Sequence, residues 1–282
     1  RIQKDGIEKS FNRQRGNRYS YRPEILKKYG RFLKYDLIDK YSCKFKNIFD
    51  CIINSTGIIF IYSNFIPGGI LPLALFLEQN GFVKYGSDKN YNNLLDEPRE
   101  YISYDGKKKK DHKESDNFQQ AAYITIVGNE NVLLGNDIDK IGVVNRDDNK
   151  YGQQIKVILA SRAGGEGIDL HRIREVHILD PWFNLNKIEQ AIGRGIRNRS
   201  HDDLPEEERN VTVYQHVCLN PPDSQDSQKE TTDLKIYREA EKKQINISKI
   251  EYELKRNAIN CFFNKKINML TQDNIITVKT SQ

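Results

Sequence analysis

Residues 155–170 read Ile-Lys-Val-Ile-Leu-Ala-Ser-Arg-Ala-Gly-Gly-Glu-Gly-Ile-Asp-Leu: a largely apolar run that passes without a break into a glycine-rich loop. Ile155 to Ala160 shows no strict alternation of apolar and polar residues, which is how a strand covered on both faces of a parallel sheet reads. A loop at the C-terminal edge of such a strand is where open α/β sheets bind ligands. Gly164, Gly165 and Gly167 let the backbone approach a phosphate or sugar closely, and Asp169 can accept a hydrogen bond from a ribose hydroxyl. Taken alone, the loop is equally well explained as a tight turn.

Outward from this stretch, four more segments read as covered strands: Ile58 to Tyr62, Ala122 to Val127, Glu175 to Leu179 and Val211 to Val217. Helical patterns lie between them. Phe45, Ile48, Phe49, Ile52 and Ile53 form one amphipathic stripe, with Ser42 placed to cap it and Gly57 to end it. Ile70 to Gln79 reads as a helix with Pro72 in its first turn and Gly81 as its stop. Strands alternating with helices predict an α/β fold, a mainly parallel sheet with helices on both faces. The expected domain plan is an arm and lead-in over 1–41, a lobe over 42–218 and a linker over 219–231. A helical appendage and tail over 232–282 complete it. Within the lobe, residues 86–118 are polar, carry Lys107 to Lys110 in a row, and read as an exposed insertion.

The formal net charge of +6 permits a nucleic-acid partner without requiring one. The cysteines, Cys43, Cys51, Cys218 and Cys261, show neither zinc-ligand spacing nor a disulfide framework, and read as buried free thiols in a reducing compartment. The first residues carry no signal-peptide pattern, and the expectation is a piece of a longer chain. Gly57 to Leu77 imitates a membrane span, but Ser63, Asn64, Pro67, Gly68 and Gly69 interrupt it, so no membrane partner is expected.

A second block carries chemistry: Gln190-Ala191-Ile192-Gly193-Arg194-Gly195-Ile196-Arg197. On a helix, Gln190, Arg194 and Arg197 fall at i, i+4 and i+7, so a carboxamide and two guanidiniums share one face. Ile188, Ile192 and Ile196 lie on another stripe that can be buried. Two glycines cost a helix about 1 kcal/mol each relative to alanine, which points to close packing or a close ligand. Paired guanidiniums suit a transferring phosphoryl group; a surface ion-pair helix is the alternative.

The two blocks in this order resemble motifs V and VI of superfamily-two helicases, and Gly57 to Phe65 resembles the strand of motif IV. The stretches GIIFIYSNF, SRAGGEGIDL, REVHILDPWFN and QAIGRGIRNRSH, with ETTDLKIY and LKRNAINC beyond, are similar to the transcription-associated helicases of nucleocytoplasmic large DNA viruses. That group includes the large subunit of the viral early transcription factor and the viral nucleoside triphosphatases. The resemblance implies a second, RecA-like lobe of a nucleic-acid-dependent ATPase. It implies that Arg197 is the arginine finger and Arg194 the second arginine of motif VI. Gln190, Gly167 and Asp169 are implied at the nucleotide, and Ser161, Arg162, Ser63 and Asn64 at nucleic acid.

No G-x-x-x-x-G-K-[ST] phosphate loop occurs in the sequence, and Asp96-Glu97 lies between motifs IV and V, away from where the family keeps its metal-binding acidic pair. ATP and Mg²⁺ are therefore expected to be held mainly by a first RecA-like lobe. The resemblance implies as partners that lobe, nucleic acid with DNA favoured over RNA, and a viral RNA polymerase or transcription-factor subunit. It implies the virion or a viral factory in the host cytoplasm as location. SRAGGEGIDL and QAIGRGIR also resemble chromatin-remodelling ATPases, and a non-catalytic scaffold is the rival of another class.

Overall fold

The computed structural model describes residues 4–259 and 263, apart from 15–16, 87–92, 98–99, 112–117, 129–133, 163–166, 223–224, 226 and 228. In chain order the elements are α1 (Lys4–Ser10), β1 (Phe11–Arg13), β2 (Tyr19–Tyr21), α2 (Pro23–Tyr29), α3 (Tyr35–Ile38), α4 (Cys43–Asn54), β3 (Ile58–Ser63), α5 (Leu71–Gln79) and β4 (Val83–Lys84). They continue with β5 (Ala122–Ile126), α6 (Ile141–Val144), β6 (Val157–Ser161), β7 (Ile173–Ile178), α7 (Leu185–Gly195), β8 (Thr212–Gln215) and α8 (Thr232–Asn257). Six strands form one sheet in the order β4-β5-β6-β3-β7-β8, every neighbouring pair parallel. All six residues of β3 are buried, as are all five of β5 and of β6.

Alternation along β3 sorts its side chains to two cores. Ile59 and Ile61 join α4, α5 and the amino-terminal segment on one face; Ile58, Phe60 and Tyr62 join Val144, Ile188 and Ala191 on the other. Helices thus cover both faces, and the architecture is the RecA-like α/β fold. Ser42 caps α4 by accepting from the Phe45 amide at 3.2 Å, but the helix stops at Asn54 rather than running on to Gly57. Gly57 instead lies where a side chain would meet the Arg174 stem at 2.1 Å. A single π-helical turn, Ile66–Ile70, feeds α5. Among the described residues no helix is long and apolar enough to cross a membrane.

Three expectations are corrected. The arm and lead-in over 1–41 pack against the lobe: Ile7, Phe11 and Tyr19 of the first twenty residues, and Tyr21, Leu33 and Ile38 after them, are buried in the first core. Rings of Phe11 and Tyr21 pack at 4.8 Å, with Phe32 against both. The 86–118 stretch is not simply an exposed excursion, because Leu94, Leu95, Ile102 and Ser103 are buried. The buried Glu78 carboxylate accepts from the amides of Leu94 and Leu95 and from the Tyr123 hydroxyl. Arm and insertion hold each other, since the Tyr19 amide donates to Leu94 O and the Asp96 amide to Tyr19 O. Glu97 pairs with Arg31 at 2.9 Å, a structural role for the Asp96-Glu97 pair. Lys107 to Lys110 remain exposed, with Lys108 and Lys110 both on Glu100. Last, Cys43 and Cys218 are exposed and Cys51 half-buried; Cys261 lies outside the described residues.

At the β7–β8 edge, His177 and His216 are buried and stacked, with His177 Nδ1 2.9 Å from His216 Nε2 and His177 Nε2 3.0 Å from Glu175 Oε2. Burial, then His177 and Lys44, push the His216 pKa down to about 4. The folded state therefore refuses a proton that the unfolded chain accepts between about pH 6.5 and pH 4. Stability is complete above that window and falls as pH drops through it, by up to about 3 kcal/mol at about 1.4 kcal/mol per unit. Urea unfolding at pH 7 and pH 4.5 should show this loss, and His216→Gln should flatten the slope; an unchanged slope in that variant assigns the loss to other groups.

Candidate nucleotide and nucleic-acid site

Because β6, β3 and β7 are adjacent and parallel, their C-terminal ends bring three loops to one edge. Of the loop after β6, Ala163 to Glu166 lie outside the described residues, Gly164 and Gly165 among them. Ser161 closes the strand with its hydroxyl buried and without a hydrogen-bond partner among the described residues; Arg162 is exposed. Gly167 has φ of +78°, and among the described residues a Cβ there would meet nothing within 4 Å. Asp169 is exposed beyond it, its side chain 62% accessible.

α7 carries the second block, capped by Asn184, whose side chain accepts from the Asn186 amide at 3.0 Å. The helix ends at Gly195, and Ile196 is extended. Gln190 and Arg194 are thus helical one turn apart, but Arg197 lies past the helix, and a shared face of all three is corrected. The apolar stripe ends early too: Ile188 is buried, Ile192 half-buried, and Ile196 46% exposed. At Gly195 a Cβ would stand 2.4 Å from Val176 Cγ2 and 3.1 Å from Ile173 Cγ2. Contact with β7 is closest there. Gly193 has open space instead.

Leaving the helix carries Arg197 back to the loop after β6. Its Nη1 lies 3.1 Å from Asp169 Oδ1, and its Nη2 donates to Ile168 O at 2.7 Å. The turn that follows is fastened to the sheet: Ser200 Oγ donates to Arg197 O, and His201 Nε2 lies 2.7 Å from Ile173 O. Arg172, missed by the sequence reading, holds the same turn. Its guanidinium pairs with Asp203 and with Asp147 at 2.6 Å and donates to the carbonyls of Asn145 and Arg146, while its amide donates to Ser200 O. Its φ of +59°, uncommon for arginine, is the one signal of a special position, and it is invisible in sequence.

The loop after β3 is arranged differently from expectation. Ser63 is fully buried, and its hydroxyl bonds Asp180 after β7 and Phe65 O at 3.0 Å while accepting from the Phe65 amide at 3.1 Å. The side chain ties two loops together and is not presented to solvent. Asn64 is half-buried and accepts from Tyr62 at 3.2 Å. Burial raises the Asp180 pKa, against the Ser63 hydrogen bond and Lys44, which lower it. Phe65 and Phe183 are exposed beside Trp182, with Lys187 over the Trp182 ring and Lys243 over Phe183. These aromatics at a strand-end loop were legible as a group only once β3 and β7 were known to be neighbours.

Residues 144–199 match the family model described as the helicase conserved C-terminal domain. The chain carries a helicase C-terminal lobe. It is 31% identical over 239 residues to a protein named "Putative ATP-dependent RNA helicase" from Acanthamoeba polyphaga mimivirus, covering 78% of this chain and 20% of that protein. It is 30% identical over 252 residues to a "Termination factor NPH-I homolog" of African swine fever virus, covering 80% of this chain and 33% of the relative. The helicase lobe thus spans a fifth to a third of the length of these curated relatives. Among solved structures, the C-terminal part of the Fun30 ATPase domain aligns at 17% identity with a TM-score of 0.40, covering 71% of this chain and 46% of that one.

The two glycines of the lobe's last site helix can be separated by experiment. Gly195→Ala should cost about 1–3 kcal/mol in urea unfolding, because the added methyl overlaps β7. Gly193→Ala should stabilise by up to about 1 kcal/mol through helix propensity. Equal effects of the two would contradict this assignment of the close contact.

Proposed function

We propose that this lobe is the C-terminal motor half of a nucleic-acid-dependent ATPase acting in viral transcription, in which Arg197 is the arginine finger. The supporting observation is the return of Arg197 to the loop after β6, where its guanidinium meets Asp169 and Ile168 O at the ligand-binding edge of a parallel sheet. Residues 28 apart in sequence converge there, and both side chains of the ion pair remain accessible to an incoming phosphate.

Gly167, exposed Asp169, exposed Gln190 and the two guanidiniums fit a nucleoside triphosphate presented from outside the lobe. Bound there, ATP would supply the phosphoryl group whose transfer drives the motor, and Mg²⁺ would neutralise its developing charge. Phosphate loop and metal ligands belong to a first lobe in this reading. Arg197 leaves Asp169 for the γ-phosphate as the lobes close, and Arg194 and Gln190 brace it. Nucleic acid lies across Arg162 and the loop after β3, with Ser161 buried beneath that surface. There the Phe65, Trp182 and Phe183 rings offer stacking faces, and Lys187 and Lys243 offer phosphate contacts. Ser63 acts in this reading through the loop it holds, and Asn64 at the rim. The strand is DNA or RNA, since backbone contacts carry little identity; relatives named as RNA helicases make RNA the strand to test beside DNA.

Residues 1–282 alone should hydrolyse no ATP. In the full-length protein, Arg197→Ala should lower single-turnover hydrolysis by about 10³–10⁵ with little change in ATP affinity. Arg197→Lys should rescue poorly, having lost the planar fork. Loss of a half-exposed ion pair accounts for at most about 1 kcal/mol of stability, so folding is retained. Wild-type chemistry in Arg197→Ala removes the finger assignment, and a full-length protein with neither hydrolysis nor nucleic-acid binding favours a scaffold.

A further inference from the structure

We infer that Cys43 and Cys218 are a reversible redox pair whose disulfide fastens the first turn of α4 to the root of α8. Cys43 opens α4, and Cys218 lies three residues past β8, in the segment that leads to the appendage helix. One carboxylate gathers both neighbourhoods: Asp233 Oδ2, in the first turn of α8, accepts from the Cys218 amide at 3.0 Å and pairs with Lys44 Nζ at 2.7 Å. Cys43 is near enough to be among the groups that raise the Cys218 thiol's pKa, and both residues are exposed to a dissolved oxidant. Cys51, two turns further along α4, is half-buried.

The chemistry requires a low-molecular-weight disulfide as oxidant. The Cys43 thiolate attacks one of its sulfurs, forming a mixed disulfide, and the released thiolate takes a proton. The Cys218 thiol reacts second. Having given its proton to solvent, it attacks the Cys43 sulfur and expels a second small thiol. Two electrons pass from the protein thiols to the small disulfide, and a reducing thiol reverses the exchange.

The bond matters because of what this joint touches. Lys44 also donates to Leu179 O at 3.0 Å, at the end of β7, and the next residue, Asp180, holds Ser63 and the loop after β3. Non-covalently, α8 is rooted here through the largely buried Lys44–Asp233 ion pair. The disulfide makes that attachment permanent until it is reduced.

The test treats the 282-residue chain with oxidised glutathione and analyses it by intact mass and non-reducing peptide mapping. A loss of two hydrogens and a Cys43–Cys218 cross-link are expected, unchanged in Cys51→Ser. Cys43→Ser and Cys218→Ser should abolish the link and leave glutathione on the remaining thiol. Hydrogen exchange in the first turn of α8 should slow by about tenfold or more on oxidation and recover with reductant. Stable glutathione adducts on both thiols of the unmodified sequence, or a link through Cys51 or Cys261, overturn the pairing. A correct link with unchanged exchange at α8 overturns the fastening. Because the decisive readout uses the native sequence, a folding defect in either serine variant leaves it intact.

Discussion

Burial of β3 between β6 and β7 is the constraint from which the rest of the lobe follows. Its residues are 0–4% exposed, and its ladder bonds are taken on both edges by parallel neighbours. A strand so enclosed leaves only its end free, and three chain ends therefore open side by side. Close approach is enforced around it. Adding a Cβ at Gly69 would bring it within 2.1 Å of Ser63 Oγ, so the π-helical turn must pass this point without a side chain. That turn brings Pro67 and the start of α5 over the strand while leaving room for the Ser63–Asp180 bond. Polar groups at the strand end are in this way spent on aligning loops, and the charges that can meet a ligand come from the next layer outward.

What was legible in the sequence follows from local repetition. Covered parallel strands advertise themselves as apolar runs, and the glycine-rich exit from β6 marks the edge that matters. The helical arginine block was legible as a block, but its geometry was not. Ile188, Ile192 and Ile196 continue a helical period that the chain abandons after Gly195, where the helix presses closely on Val176 and Ile173, about twenty residues earlier. The arm was misread for a related reason. Phe11, Tyr19, Tyr21 and Leu33 are too widely spaced to show a period, and their burial depends on Leu94 and Leu95 from a segment that is itself mostly polar. Each half of that contact looks like solvent-exposed chain when considered alone. β4, two residues long, offers no pattern to read.

The ion pair of Arg197 with Asp169 is suited to being broken. Separating a buried pair leaves an uncompensated charge and costs about 3–5 kcal/mol. Here the two side chains are 40% and 62% exposed, so water solvates whatever the partner releases. The cost of parting them is then about 1 kcal/mol or less. Meanwhile the backbone that carries Arg197 is held firmly, by Ser200, His201 and the four-partner Arg172 guanidinium. A rigid base under a loosely held guanidinium is the arrangement that the proposed role requires. The arm can turn toward a phosphate presented from another lobe without remodelling the turn beneath it. Rigidity is concentrated in Arg172, whose guanidinium is taken up by four protein groups, and in the proposed role freedom is left to Arg197.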